Sequence, residues 1–233
     1  MGNPLPPPAG LSALRYAGVE IRAIERLFGA GSRRVLSEED ATGTAVTQRL
    51  PGATHLHLAC HGSFDVNEPL DSALCLSAGD RLTLRELLDG DLDLSSQQLA
   101  VLSACQTGLT EFNLVPDEVI GLPAGFLQAG IPGVVATLWP VNDQSTAVLV
   151  TEFYRFLLTE RQNPATALES ASRHLRDATA RELAEWFERR YDESGGTDLA
   201  AYEAAADFRS RPDPENRPYA HPVYWASFVY TGP

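Results

Sequence analysis

The chain has 233 residues, 44% of them apolar and 21% charged. This excludes intrinsic disorder, a collagen-like repeat and a disulfide-stapled miniprotein, and it allows a full hydrophobic core. All 18 Lys/Arg positions are arginine, set against 31 acidic residues, so the net charge is −13; that balance disfavours nucleic acid and anionic membrane surfaces and favours a basic peptide or protein partner.

In chain order, residues 1–14 form a Pro-rich lead-in that opens MGNPLPPPAG. It has neither the basic nor the apolar region of a secretory signal. VEIRAIERLF at 19–28 spaces its apolar residues as a helix does. A short strand is expected at 34–36. Ser37 followed by Asp40 suggests a capping box opening a helix to about Leu50, which Pro51-Gly52 ends. THLHLA at 54–59 alternates as a strand and leaves through a loop at His61-Gly62-Ser63. A short strand at 73–76 and a short helix at 82–88 follow. QLAVLSA at 98–104 is apolar on both faces, as a central parallel strand is. Asp117 is a plausible N-cap for a helix over 118–129 that Gly130 closes.

GVVATLW at 133–139 reads as a second buried strand. Asn142 or Asp143 then caps a helix to about Leu158, and Asn163-Pro164 starts the next. An Ala/Arg/Glu-rich helical stretch covers 179–206 and a polar loop 209–218, so 179–218 reads as a helical and loop insertion. PVYWASFVY at 222–230 is expected as a closing strand. Strands alternating with helices indicate an α/β fold around a mostly parallel sheet. No apolar run approaches the roughly 20 residues that span a bilayer. Three cysteines at irregular spacing argue against a disulfide framework and for a reducing compartment, the cytoplasm by default.

Ligands of open α/β sheets bind at the carboxyl ends of the strands. Two such ends carry reactive residues: LHLAC delivers His61 and Gly62, and AVLSA delivers Cys105. If these strands are neighbours, the imidazole takes the thiol proton and the thiolate becomes the nucleophile. The backbone N–H groups of Gly62 and Cys105 would then face a developing oxyanion. Cys60 and Cys75 lie within or beside strand patterns and read as packing residues. Two rivals fit less well. His55, His57 and His61 resemble the metallo-β-lactamase signature, but the last histidine is one position late and the aspartate is missing. An α/β-hydrolase elbow needs G-x-S/C-x-G, and here Ser103 replaces the first glycine.

The motifs HLHLACHGSF at 55–64, PLDSAL at 69–74, LSACQTG at 102–108, the 117–143 segment ending WPVND, and HPVYWASFVYTG at 221–232 resemble, in that order, those of the CHAT-domain family of caspase-like cysteine peptidases. The resemblance spans residues 15–233. It implies a caspase-like three-layer α/β/α sandwich with a mostly parallel central sheet. It also implies a cysteine endopeptidase acting on protein or peptide substrates, with His61 as general base, Cys105 as nucleophile, and Gly62 and Cys105 at the oxyanion hole. No metal or other cofactor is implied. WPVND is similar to a run of separase, a distant relative, whose last aspartate lines the pocket for a basic P1 residue; this makes Asp143 a P1 candidate, with helix capping as its simpler role. The family implies gating by a regulatory partner or fused sensor domain, and no tetratricopeptide repeat is present here. The alternative reading is a catalytically silent interaction or scaffold module.

Overall fold

In the computed structural model, described over residues 1–65, 67–90, 92–103 and 121–233, the chain divides into two units. A sheet unit comprises Met1–Leu14, Arg34–Pro140 and Phe228–Pro233, and a helical unit comprises Arg15–Arg33 and Val141–Ser227.

The sheet unit is built on four strands in the order β1-β5-β6-β7: β1 (His55–Leu58), β5 (Leu99–Leu102), β6 (Val134–Thr137) and β7 (Phe228–Thr231). The first three are parallel and β7 is antiparallel to β6. β5 and β6 are buried at every residue, because a central parallel strand is covered on both faces. In β1 only Leu56 and Leu58 are buried, so the alternation in the sequence is a real difference between its faces. A second, antiparallel sheet joins β2 (Gly62–Ser63), β3 (Ala73–Cys75) and β4 (Arg81–Thr83). A Leu-rich cluster, including Leu58, Leu74, Leu84, Leu102 and Phe126, fills the unit. The fold class is the expected mixed α/β one, consistent with a caspase-like α/β/α sandwich.

The Pro-rich start of the chain is not a free lead-in. Gly2 bridges to both Ser37 and Ala59 in parallel sense, so residues 1–3 are tied beside the end of β1. The amide of Gly2 donates to Leu36 O at 3.0 Å and that of Asn3 to Ala59 O at 2.9 Å.

Several local expectations are corrected. Ser37 makes no cap bond; Glu38–Asp40 is a 3₁₀ turn, and Thr42 caps α2 (Gly43–Arg49) by accepting the Ala45 amide. His61-Gly62-Ser63 does not stay a loop, since Gly62 pairs with Leu74. The helix expected at 82–88 begins later, as α3 (Leu84–Leu88), because the Thr83–Glu86 capping box fixes its start after β4. The helix expected at 118–129 begins later, as α4 (Leu122–Gln128) after Gly121 in extended backbone, and is followed by Gly130 at φ 98°; its expected cap, Asp117, lies outside the described residues.

The helical unit contains α1 (Ala17–Leu27), α5 (Asp143–Leu158), α6 (Pro164–Asp177), α7 (Ala180–Glu193), α8 (Leu199–Arg209) and the short α9 (Pro222–Trp225). Asn142 caps α5 and Asn163 caps α6, each through its side-chain oxygen, and Pro164 occupies the first turn of α6. Residues 145–154 are all buried, so α5 is a central helix, packed on α1 and α6. The strand expected over 222–230 is a helical turn in its first half, because Pro222 follows the His221 cap.

Candidate active site

β1 and β5 are direct neighbours, parallel and in register, with His55 opposite Leu99 and Leu58 opposite Leu102. Their carboxyl ends are therefore flush. Three residues beyond Leu58 comes His61. Three beyond Leu102 in the chain comes Cys105, which lies outside the described residues.

The backbone of His61 is fixed from two sides. Upstream, Ala59 is bridged to Gly2 and Cys60 is fully buried in the core. Downstream, the Cys75 amide donates to the His61 carbonyl at 2.8 Å, and the β2–β3 ribbon begins at once with the Gly62–Leu74 pair. Gly62 itself is buried.

The ring is nearly buried, at 9% exposure. Its Nε2 lies 2.9 Å from the carbonyl oxygen of Ser12. A carbonyl only accepts, so Nε2 carries the hydrogen and donates it. In the neutral ring Nδ1 is then the atom with the free lone pair. Nδ1 is buried and has no hydrogen-bond partner among the described residues. The imidazole is thus held with its basic nitrogen directed away from its anchor, as a general base requires.

The remaining cysteines and histidines of this unit have other surroundings. Burial pushes the Cys60 thiol up to about 12, with a further rise from nearby Cys75, which fits an inert core thiol. Cys75 is half-buried, and burial raises it as well, against the opposing pull of Arg81. His55 Nδ1 lies 2.9 Å from the Thr54 hydroxyl, and burial lowers the ring's pKa. Among the described residues no group of three His, Cys, Asp or Glu side chains is arranged to hold a metal ion.

Asp143 belongs to the helical unit. Asn142 is the cap of α5, so Asp143 does not cap the helix it opens. Its Oδ2 instead accepts the Tyr16 amide at 2.8 Å, at the N-terminus of α1, and the Arg15 amide also bonds to the carboxylate. Burial pushes its pKa up to about 6, opposed by these amide bonds and reinforced by Glu20. Beside it, Gln144 donates to Tyr16 Oη at 3.0 Å and accepts from Tyr219 Oη at 2.8 Å.

Sequence reasoning missed Ser12 and the segment that carries it. Its part is played by a main-chain carbonyl, which leaves no trace in side-chain identity.

A mixed α/β chain with a parallel sheet, presenting a histidine at one strand end and a cysteine segment after the next, has the framework of a caspase-like, peptidase-related protein. The family model for the CHAT domain matches residues 2–233, and the chain belongs to that family. A search of curated proteins finds no match. Among the described residues no helix is long and apolar enough to cross a membrane.

Proposed function

We propose that the protein is a cysteine endopeptidase in which Cys105 is the nucleophile and His61 the general base. The observation that carries this reading is the parallel register of β1 and β5, joined to the anchoring of His61 by Ser12. Leu58 and Leu102 are level, and His61 and Cys105 follow them at equal distance along the chain.

The thiol proton passes to His61 Nδ1 while the sulfur attacks the scissile carbonyl. The Ser12 carbonyl, accepting Nε2–H, favours the imidazolium that forms and keeps the ring from turning. Backbone N–H groups of Gly62 and Cys105 meet the oxyanion. The imidazolium then gives its proton to the leaving amine, and water resolves the acyl-enzyme with His61 again as base.

The chain's net charge of −13 supports a substrate with a basic P1 residue, and Asp143 is the carboxylate we assign to it. A gating partner belongs to the same reading and makes basal activity low. The protein is placed in the cytoplasm because three irregularly spaced cysteines suit a reducing compartment.

The test is cleavage of a positional-scanning peptide library, together with labelling by a peptidyl electrophile. His61→Ala should lower kcat/KM by about 10²–10⁴-fold, and Cys105→Ala should abolish both cleavage and labelling. Cleavage that survives Cys105→Ala would overturn the assignment. A Cys105 that is not labelled, or that labels equally with and without His61, would identify an interaction module.

A further inference from the structure

We propose that Asn3 is a positioning residue for His61, acting as the clasp of a closed loop whose far side carries the Ser12 carbonyl. The proposal rests on the Cys–His reading above.

The loop runs from Asn3 to Leu14 within the sheet unit. Its first end is fixed by the sheet. Gly2 is buried between Leu36 and Ala59, and Glu38 N donates to Gly2 O at 3.0 Å. Asn3 N donates to Ala59 O at 2.9 Å, only two residues before His61 in the same chain run. The loop's base is thus tied to the strand end whose histidine it serves.

The second end is fixed by a side chain. Asn3 Oδ1 accepts the Leu14 amide at 2.8 Å, across 11 positions of sequence. Ser12 lies two residues before Leu14, and its carbonyl meets His61 Nε2 at 2.9 Å. The Leu11 amide donates to Pro8 O at 3.0 Å, which turns the chain just ahead of Ser12. Ser12 itself is exposed, so no packing of its own side chain fixes where its carbonyl points.

The backbone of Asn3 supports the assignment. Its φ is +48°, in the left-handed region that non-glycine residues seldom enter and that Asn tolerates better than most. Glycine would adopt it without strain. What Asn adds over Gly is the side-chain oxygen that receives Leu14. Losing that acceptor frees the Leu14 end, and the Ser12 carbonyl loses its fixed distance from the ring. The neutral imidazole is then no longer biased to keep its hydrogen on Nε2, and Nδ1 is no longer the dedicated base.

The experiment compares Asn3→Gly, Asn3→Ala and Asn3→Asp, each read in two ways. The first readout is the ring tautomer of His61 by ¹⁵N NMR, taken on a Cys105→Ala background so that it needs no turnover. The second is peptide cleavage with Cys105 intact. Asn3→Gly keeps the backbone relaxed and removes only the acceptor, so it separates the clasp from folding. It and Asn3→Ala should shift the neutral ring away from the Nε2–H form and lower kcat about 10-fold or more with KM little changed, since small misplacements of a catalytic group are costly. Asn3→Asp retains an acceptor for Leu14 and should restore both readouts. Wild-type tautomer and wild-type kcat in Asn3→Gly would overturn the clasp while leaving the peptidase intact. A shifted tautomer in a protein whose wild type never cleaves would uphold the clasp and remove the peptidase.

Discussion

The two units differ in what holds them and in what charge they carry. The sheet unit is mostly aliphatic inside, with Phe126 the one aromatic ring among the described residues of its main buried cluster. The helical unit is held by rings: Phe187 touches Tyr16, Trp186 and Phe208, and Phe208 and Tyr219 extend the chain to Tyr224. The charges divide as sharply. The sheet unit has four arginines against 14 acidic residues, a net of −10, and the helical unit has 14 against 17, a net of −3. In the helical unit most of the arginines sit in ion pairs, among them the exposed Arg15–Glu203, Arg173–Glu169, Arg181–Glu215 and Arg209–Glu188. Exposed pairs of this kind add about 0–1 kcal/mol each, so the rings dominate its stability and the pairs mainly cancel its field. The sheet unit keeps its field, and it is the unit that contains His61.

The largest effect should come from breaking the ring network. Phe187 is fully buried at its centre. Phe187→Ala should cost about 3–5 kcal/mol by thermal or urea unfolding. Phe187→Leu sharpens the comparison, because it keeps an apolar side chain and removes only the ring. If the helical unit depends on ring geometry, the leucine variant should still lose about 1–2 kcal/mol. A leucine variant as stable as wild type would mean that the unit is an ordinary apolar core.

Asp143 gives a smaller effect of opposite sign. Burial raises its pKa to about 6, above the ordinary carboxylate value of 3.8. The folded state therefore binds the proton more tightly than the unfolded state. The stability this supplies is complete below about pH 4 and is lost as pH rises through 6. At pH 7 the ionised carboxylate is a net cost. Asp143→Asn keeps an oxygen for the Tyr16 amide and should raise stability at pH 7 by about 1–2 kcal/mol, or a few degrees in Tm, with the gain vanishing near pH 4. A carboxylate kept ionised against stability suits the assigned P1 role. The same variant should therefore lose its preference for Arg and Lys over neutral P1 residues, and wild type should lose that preference as pH falls below 6. A variant that gains stability and keeps full selectivity would confine Asp143 to the start of α1.

These two residues also show what the sequence made legible. β5 and β6 could be read from their apolar runs, because burial on both faces leaves no polar position, and β1 could be read from its alternation. The position of His61 just past β1 could be read, because the alternating pattern of that strand stops at Ala59. The sequence allowed two duties for Asp143, a cap and a pocket. The structure adds a third, at the start of α1, because Tyr16 lies 127 positions away and no local pattern joins them. The β2–β3–β4 sheet was hidden by its brevity: strands of two or three residues show no period. Residues 1–3 were hidden for another reason, since bridges made by the single residue Gly2 leave no periodic pattern, and proline nearby suggests the opposite of pairing. The Ser12 anchor was beyond reach in principle, being a carbonyl that every residue carries.

The smallest effect concerns the field. If the sheet unit's −10 recruits basic substrates, kcat/KM for an Arg- or Lys-containing peptide should fall with added salt, through KM more than kcat. Raising ionic strength shortens the screening length to about 8 Å at physiological salt, so the loss from very low salt should be several-fold, within the range long-range steering supplies. A peptide with the same P1 residue but no net charge should respond much less. The comparison between units is then sharpened by charge removal. Glu39 and Asp40 are exposed on the 3₁₀ turn of the sheet unit. The double variant Glu39→Gln/Asp40→Asn should lower kcat/KM for the basic peptide by about 1.5- to 2-fold at low salt and leave it unchanged at high salt. Glu215→Gln in the helical unit releases Arg181 from its pair and removes the same kind of charge, one step instead of two. If that single change slows the basic peptide as much as the double one, the effect belongs to net charge of the whole chain, and the sheet unit has no claim to a directing field of its own.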